Sequence, residues 1–388
     1  MSGTSDLSRW ADVARIVDAA AGADHVAPAV SLLVGSGEHV VFEHCAGVAG
    51  PPDRTRLCDQ NTIFDVASLT KPLVTTTLTL EAVSRGLLAL ETTVADVLAS
   101  FDGAKDSRRA QVTVRDLLRH DSGLPAYRRY FEDVAPTPPS SALEAASRRS
   151  QMFRRAATEP LERDPRAGSV YSDIGFLVLG AMLEAVSNAR IDALAQARLF
   201  GPLGLVDAEF VETRFGPSDD LARRCASGGT CEWRKGPVHG LVQDENAWAM
   251  GGVATHAGLF ATARGVHRLV AEWVAAAGNQ GLVLDGELVR LAWDREAAAN
   301  GAAPSTWALG WDTPTPGASS AGSRINRDAV GHLGYTGTSV WIDPTRQVHV
   351  VLLTNRIAYG RSADGIRALR PHLHDAVLAA LGDGPSAG

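Results

Sequence analysis

Residues 64–71 have the sequence FDVASLTK, in which a strand-and-loop stretch enters a helical pattern and a serine precedes a lysine by three positions. Residues with this spacing share one face of a helix, so the ammonium of Lys71 is predicted to approach the hydroxyl of Ser68. A serine hydroxyl needs a base to take its proton before it acts as a nucleophile. A lysine can be that base where burial and neighbouring cations lower its pKa. An N-cap serine followed by an exposed lysine is the structural alternative, and this motif alone does not exclude it.

A second motif, Tyr171-Ser172-Asp173, stands directly before the helical pattern of residues 174–187. A tyrosine at this place can present its phenol to a cleft as an acid or a base. Asp173 can accept a hydrogen bond from a substrate amide or from a lysine. The alternative is that Asp173 only caps the helix while the tyrosine packs beside it.

A third motif, GHLGYTGT at residues 331–338, leads straight into the strand-like run of residues 339–342. Glycines at this density inside a strand favour the close approach of a ligand backbone. The alternative is a bulged strand in which His332 belongs to the core. Three other histidines have good explanations as packed or capping residues and are not predicted to be catalytic: His120, His256 and His267.

The order of the periodic segments predicts how the chain is organised. Strand-like runs at residues 29–34 and 39–44 form a hairpin signal around a Gly-Ser-Gly turn, and strand character returns at 339–342 and 348–354. Between them, helical patterns alternate with loops, and a last amphipathic helix spans about residues 364–381. We therefore predict a discontinuous sheet lobe from residues 1–66 and 255–388, a mostly helical lobe from residues 67–254, and a cleft between the two.

Composition excludes several classes of partner. The net charge is −7, from 37 basic and 44 acidic residues, so nothing attracts the chain to nucleic acid or to an anionic membrane. Charged residues interrupt the first 22 positions, so no apolar signal core is predicted there and the expected compartment is the cytoplasm. There the four cysteines are expected to stay reduced. Cys225, Cys231 and His239 invite a zinc interpretation, but no second close pair completes it, and we predict no metal and no cofactor.

The three motifs, in this order and with these separations, resemble the serine β-lactamase and penicillin-binding protein superfamily. The resemblance is closest to its class C β-lactamase-like branch, with the related carboxylesterases and D-aminopeptidases. It covers roughly residues 25–380 and includes further typical stretches at 64–67, 117–125, 251–260, 309–312 and 352–356. It implies an α+β fold of the β-lactamase/transpeptidase type, in which an antiparallel sheet is flanked by N- and C-terminal helices and joined to a mostly helical lobe.

The resemblance also implies roles for individual residues. Ser68 is the residue expected to be acylated, Lys71 matches the family lysine, and Tyr171 matches the tyrosine that is the main proton shuttle. Residues 332–334 fall on the K-T-G position of the cleft edge. The residues expected to bind substrate are Asp173, His332, Gly334 and Tyr335.

Three departures from the family pattern bear on the substrate. Asp173 replaces an asparagine, His332 replaces the cationic lysine, and Leu333 removes a threonine hydroxyl. An unperturbed histidine is mostly neutral at pH 7, so recognition of a substrate carboxylate is expected to be weak and to strengthen when a lower pH protonates the ring. A further stretch, residues 238–248, resembles a cleft loop of cell-wall carboxypeptidase-like members, with Gln243 where a histidine is usual. A polar surface loop explains that stretch equally well.

The predicted function is hydrolysis of a small ester or amide through an acyl-enzyme at Ser68, with esterase-like activity favoured. The alternatives are β-lactamase, D-alanyl-D-alanine carboxypeptidase or D-aminopeptidase activity, and acyl transfer to an acceptor other than water. A non-catalytic binding protein that kept the fold is the remaining alternative, against which the intact Ser68, Lys71 and Tyr171 argue. The only partner predicted is a small-molecule acyl substrate, and the oligomeric state is left open.

Overall fold

A five-stranded antiparallel sheet forms the centre of the molecule, whose computed structural model describes residues 8–22, 24–50, 55–104, 106–362 and 364–382. Its strands are β1 Ala29–Ser36, β2 His39–Gly47, β8 Val330–Leu333, β9 Ser339–Asp343 and β10 Val348–Thr354. They lie in the order β2-β1-β10-β9-β8. Strands from both ends of the chain therefore pair directly, with Val30 opposite Thr354 and Ser36 opposite Val348 in β1 and β10.

Helices cover both faces of this sheet, which explains why β10 is buried along its whole length. The first helix, α1 (Ala11–Ala21), and the last, α13 (Asp364–Leu381), pack their apolar residues against one face of β1 and β10. Helix α10 (Ala263–Ala277) contacts the same two strands and belongs to a second, larger core that continues into the helical part of the chain. The predicted α+β fold, with an antiparallel sheet between N- and C-terminal helices, is confirmed.

The remaining elements lie mostly between residues 60 and 300. A three-stranded sheet, ordered β3-β7-β4, and a hairpin, β5-β6, accompany the helices. These strands are β3 Phe64–Asp65, β4 Ala208–Phe210, β5 Ser227–Cys231, β6 Gly236–His239 and β7 Leu259–Ala261. The α-helices are α2 Thr77–Ser84, α3 Val94–Val97, α4 Val114–Leu118, α5 Ala142–Thr158, α6 Asp173–Ser187, α7 Ile191–Ala195, α8 Asp219–Arg224, α9 Glu245–Ala249, α11 Gly286–Trp293 and α12 Arg295–Ala299. The division into lobes near residues 66 and 255 stays a prediction.

Within the described ranges, no single helix has the length and apolar character needed to cross a membrane. Helix α6 and the helical segment Ile191–Phe200 pass that test only as a pair, with a bend of 69° between them.

Candidate active site

Ser68 lies in a strained turn between β3 and a helix. The residue before it, Ala67, has a φ of 51°, an uncommon value for a residue with a side chain. The backbone N–H of Ala67 donates to Asp65 Oδ1 at 2.8 Å, and Thr70 Oγ1 donates to the Ala67 carbonyl at 2.6 Å. The 3-10 turn Ala67–Leu69 then passes into a π-helical segment, Lys71–Thr76. These local bonds hold the serine at the entrance of the helix.

The stretch 255–261 fixes this helix entrance from the side. The Val66 N–H donates to the Leu259 carbonyl at 3.0 Å, and the Leu259 N–H donates to Thr70 Oγ1 at 3.1 Å. One turn later, Thr75 Oγ1 donates to the Thr255 carbonyl at 2.6 Å. This explains structurally why residues 251–260 accompany the serine motif in the sequence.

Lys71 is fully buried, and its ammonium has three acceptors within reach. Its Nζ lies 3.1 Å from Ser68 Oγ, 2.9 Å from the His256 carbonyl and 2.7 Å from Asp173 Oδ1. An ammonium has three N–H donors, so these three oxygens match its capacity. The predicted approach of Lys71 to Ser68 is observed, and the lysine is also ion-paired with Asp173.

Tyr171 and Asp173 stand on the segment that leads into α6. The Asp173 N–H donates to the Ala126 carbonyl at 2.9 Å, and the Val170 N–H donates to the His120 carbonyl at 2.9 Å. His120 Nδ1 accepts from the Ser172 N–H at 3.0 Å, so this ring positions the segment from behind. Through these bonds to His120, the sequence motif at residues 117–125 holds the segment that carries Tyr171 in place.

The protonation states of Lys71 and Tyr171 depend on each other. Burial alone would lower the pKa of Lys71, but the charge of Asp173 and the Tyr171 phenol together raise that pKa above its ordinary value. Burial raises the pKa of Tyr171, and the charge of Lys71 opposes this rise while Asp173 adds to it. The nearby side chains of Lys71 and Ser68 also lower the pKa of Tyr171, although the buried phenol oxygen makes no hydrogen bond with any described residue. Lys71 is therefore held as a cation beside a buried, protonated phenol.

His332 is a buried, neutral histidine on β8, the edge strand of the central sheet. Burial and the nearby charge of Lys71 lower its pKa to about 3. Its Nδ1 lies 2.9 Å from the Leu333 carbonyl, which can only accept, so Nδ1 carries the proton. Nε2 is then an acceptor that is buried and has no partner among the described residues. The expectation that mildly acidic pH protonates this ring is wrong, because the sequence could not reveal its burial.

The glycines of the third motif lie mostly in a turn rather than in a strand. Residues 334–338 form this turn between β8 and β9, and Gly337 needs its φ of 96° to make it. A side chain on Gly334 would meet Thr338 Oγ1 at 2.0 Å and the Val66 carbonyl at 2.8 Å. Both glycines therefore serve the close packing of the turn against the backbone that leads to Ser68.

Two threonines fasten the 334–338 turn to the serine segment. Thr336 Oγ1 donates to the Asp65 carbonyl at 2.8 Å, and Thr338 Oγ1 donates to the Val66 carbonyl at 3.0 Å. Tyr335, at the tip of the turn, is 44% exposed and lies under the guanidinium of Arg356, 5.2 Å from the ring centre. The backbone N–H of Tyr335 makes no hydrogen bond with any described residue.

Trp307 completes a cluster of rings that sequence reasoning missed. Its ring centre lies 5.5 Å from Tyr171, 5.5 Å from His332 and 4.4 Å from His120. Trp307 belongs to a stretch rich in Gly, Ser, Pro and Ala, which indicates only a loop. The presence of tryptophan within such a stretch was the available signal.

The loop around Gln243 lies behind the serine turn. The Gln243 N–H donates to Asp65 Oδ2 at 2.7 Å, while its side-chain amide is buried without a partner in the described chain. Asp244, the next residue, lies 3.0 Å from His256 Nε2. The Gln243 backbone therefore helps to hold the carboxylate that supports Ala67, a contact that a simple surface loop would lack.

The cysteines of the possible zinc site have other surroundings. His239 Nε2 lies 2.7 Å from the Ala222 carbonyl, and Cys231 Sγ lies 3.9 Å from Glu245 Oε1. Among the described residues, no group of three His, Cys, Asp or Glu side chains is arranged to hold a metal ion.

Similar folds occur in solved structures that share little sequence with this chain. EstCE1, described as a hydrolase with promiscuous acyltransferase activity, has a TM-score of 0.73 at 21% identity, over 97% of this chain and 100% of its own. A penicillin-binding protein homologue from Caulobacter crescentus has a TM-score of 0.71 at 19% identity, over 96% of this chain and 98% of its own. These similarities concern the fold alone.

Curated sequences match with somewhat higher identity. A putative D-alanyl-D-alanine carboxypeptidase of Escherichia coli (strain K12) is 28% identical over 359 residues, which are 85% of this chain and 78% of the relative. A protein of the same description from Escherichia coli O157:H7 is 28% identical over 382 residues, which are 91% of this chain and 82% of the relative.

A serine, a lysine and a tyrosine lie together on this fold, and with the family match they define a serine hydrolase of the β-lactamase class. The family model described as beta-lactamase matches residues 13–372, and the chain belongs to that family. The family resemblance inferred from the motifs is confirmed.

Proposed function

We propose that this protein hydrolyses a small, uncharged ester or amide through an acyl-enzyme formed on Ser68. The observation that carries the proposal is the contact of 3.1 Å between Lys71 Nζ and Ser68 Oγ beside the buried phenol of Tyr171. Lys71 donates to Ser68 Oγ, which leaves the serine proton free to pass to the Tyr171 oxygen. Tyr171 must first give its own proton to water, and the cation of Lys71 stabilises the phenolate that results.

In the first half of the reaction, Ser68 Oγ attacks the substrate carbonyl and its proton moves to Tyr171. Tyr171 then protonates the leaving alcohol or amine, and the acyl group stays on Ser68. In the second half, water attacks this ester and gives a proton to the Tyr171 phenolate. Tyr171 passes that proton to Ser68 Oγ as the bond between Ser68 and the acyl group breaks and the acid is released. The free N–H of Tyr335, on the turn fastened to Asp65 and Val66, is the donor that we assign to the negative oxygen of each intermediate.

The charges around the site favour an uncharged substrate. Asp173 neutralises Lys71 through their contact of 2.7 Å, and His332 is neutral. A substrate carboxylate would thus approach Asp173 without the cation that the family pattern has at position 332. His332 Nε2 instead offers an acceptor for a donor group on the substrate.

D-Alanyl-D-alanine carboxypeptidase activity is the second candidate, favoured by the description of the relatives at 28% identity. It differs from the first proposal in needing a hold on the terminal carboxylate of the peptide. A panel of neutral nitrophenyl esters, a chromogenic cephalosporin and D-alanyl-D-alanine peptides separates the two. The carboxypeptidase is favoured if the peptides are cleaved with higher kcat/KM than the esters. Turnover of esters that speeds up on addition of an alcohol or amine would indicate acyl transfer.

A fluorophosphonate should label Ser68, and Ser68→Ala should abolish both labelling and turnover. The reason is that Ser68 combines a strained helix entrance with a lysine at 3.1 Å. Peptide mass spectrometry locates the adduct. Ser187→Ala is the matched control, because Ser187 ends α6 about 20 Å from the end that carries Asp173. A stable adduct on another serine, or an active Ser68→Ala variant, would refute the proposal.

The preference for neutral over anionic substrates should stay constant between about pH 5.5 and 8.5, because the pKa of His332, about 3, lies below that range. The ratio of kcat/KM values for a matched neutral and anionic ester measures it. His332→Lys should raise kcat/KM for the anionic ester alone. The increase should correspond to roughly 0.5–2 kcal/mol of additional binding free energy in the transition state. His332→Gln, which adds no charge, is the control. A preference for anions that grows in wild type as pH falls would show that this histidine titrates after all.

A further inference from the structure

Arg370, on the last helix α13, is a buried arginine directly behind the 334–338 turn. It is 6% exposed, and its Nη2 donates to the Gly334 carbonyl at 3.2 Å and to the Thr338 carbonyl at 2.8 Å. In the part of the chain that the structure describes, no carboxylate pairs with it, and its Nε has no partner. Burial and the charge of Arg356 lower its pKa to about 9.

The stability of the turn does not explain this residue. The Gly334 N–H donates to the Thr338 carbonyl at 2.7 Å, and the Gly337 N–H donates to the Gly334 carbonyl at 3.0 Å. The turn is thus closed by its own backbone, and its threonines fasten it to the serine segment. A buried charge without a counter-ion destabilises a fold, and apolar replacements of buried charges are often tolerated. A role in the chemistry gives a better reason for an arginine at this position.

The peptide unit between Gly334 and Tyr335 connects Arg370 to the site. Its oxygen accepts from both the guanidinium and the Gly337 N–H, while its N–H, on Tyr335, has no partner among the described residues. Donation to a peptide oxygen polarises the whole unit and makes its N–H a stronger donor. A charged donor has a larger effect than a neutral one. The position and the donor strength of the Tyr335 N–H therefore both depend on Arg370.

We propose that Arg370 is a positioning residue, which holds and polarises the Gly334–Tyr335 peptide so that its N–H stabilises the negative oxygen formed during attack by Ser68. This inference rests on the proposed function, since it requires an acyl-enzyme at Ser68. Arg370 touches neither the substrate nor Ser68 in this scheme and acts only through the peptide. One signal for this residue is visible in the sequence: Arg370 and His374 stand four residues apart among the apolar positions of the last helix.

The test compares Arg370→Met with Arg367→Met, an arginine of the same helix that is 76% exposed. Single-turnover acylation of Ser68 by a nitrophenyl ester gives the maximal rate constant and the half-saturating concentration separately. Loss of a whole oxyanion donor slows reaction by about 10²–10³-fold, so a weakened donor should slow acylation by about 10- to 100-fold, with half-saturation changed less than about two-fold. Arg367→Met should acylate like wild type. Thermal unfolding of Arg370→Met should be unchanged or shifted upward, which a purely structural role would not allow.

A double-mutant cycle tests the route through the peptide. Tyr335→Pro removes the N–H in question, while Tyr335→Ala removes the ring and keeps the N–H. Adding Arg370→Met should slow Tyr335→Ala as it slows wild type, and should leave Tyr335→Pro unchanged. Losses that multiply in the proline background, or a folded Arg370→Met variant with the wild-type rate, would overturn the proposal.

Two further outcomes keep the result interpretable. If Arg370→Met does not fold, Arg370→Lys replaces it, because the lysine side chain is shorter and its ammonium cannot reach the position of Nη2. A wild-type acylation rate in that variant overturns the proposal. If no adduct forms on Ser68 in the wild-type protein, the proposed function itself has failed.

Discussion

Lys71→Ala combined with Tyr171→Phe should lower kcat by about the same factor as the worse of the two single substitutions, about 10²–10⁴-fold. The structure supplies the reason. Lys71 contacts Ser68 Oγ at 3.1 Å and also opposes the rise in the pKa of Tyr171 that burial causes. Without Lys71 the phenolate is disfavoured, so little remains for Tyr171 to contribute. Without Tyr171, the cation has no phenolate to stabilise.

Measured kcat values of the wild type, the two single variants and the double variant decide this. Lys235→Ala and Tyr359→Phe are matched controls, since both side chains are exposed. They should leave kcat within about two-fold, as surface changes away from special features usually have small effects. Two single defects that multiply in the double variant would mean that Lys71 and Tyr171 act independently.

Asp173 adds a check on the same pair. It raises the pKa of both Lys71 and Tyr171, so Asp173→Asn should move the ascending limb of the kcat/KM–pH profile to lower pH. The substitution should not remove the coupling between lysine and tyrosine. This variant also places the family asparagine at position 173.

The parts of the fold with strong local patterns were predictable from the sequence. The last helix and strand β10 occupy the predicted ranges, because amphipathic periodicity and a run of valine and leucine specify them without help from distant residues. The 39–44 strand was predicted three residues short, since its later half is only partly buried and its alternation is weak. The strand expected through the glycine-rich motif at 331–338 is shorter in the structure, because β8 holds only Gly331 while Gly334 and Gly337 lie in the turn.

The helix after Ser68 shows where local reasoning fails. The helical pattern that begins at Ser68 predicts a regular helix, but a 3-10 turn and the π-helical segment Lys71–Thr76 precede α2. Thr75 donates to the Thr255 carbonyl, and Lys71 donates to the His256 carbonyl. These partners lie about 180 positions away along the chain, so no local sequence pattern near Ser68 could predict them. The same limit explains why Arg370 and Trp307 were missed. Their roles arise from contacts with turns that other segments build.

Buried neutral histidines should make the protein strongly acid-labile, and this is the largest stability effect that the structure implies. Burial lowers the pKa of three histidines to about 3: His332, His349 and His374. In the unfolded chain a histidine has a pKa near 6.5. Below that pH the histidines are therefore protonated in the unfolded state while the buried ones stay neutral in the folded state. The free energy of unfolding therefore falls as pH drops through 6.5 and keeps falling towards 3, by about 1.4 kcal/mol per pH unit for each histidine.

Two buried carboxyl groups oppose this loss. Burial raises the pKa of Asp65 and of Asp312 to about 6, so these groups bind protons more readily in the folded state and stabilise it as pH falls through 6. Between pH 7 and about 4.5, the three histidines lower the free energy of unfolding by about 8 kcal/mol. The two carboxyl groups raise it by about 4 kcal/mol over the same range. For these five groups together the net loss is about 4 kcal/mol, a large part of the roughly 5–15 kcal/mol typical of a folded domain.

His374 isolates one histidine's share of this effect. Both of its ring nitrogens are buried without a partner in the described chain, so His374→Leu leaves no broken hydrogen bond behind. Urea unfolding should be measured across the pH series. Between pH 7 and 4.5, the free energy of unfolding of His374→Leu should fall by about 2.7 kcal/mol less than that of wild type. His372→Leu, an exposed position on the same helix, should follow the wild-type curve. If both variants follow that curve, His374 accepts a proton in the folded state, and the same reasoning for His332 and His349 loses its support.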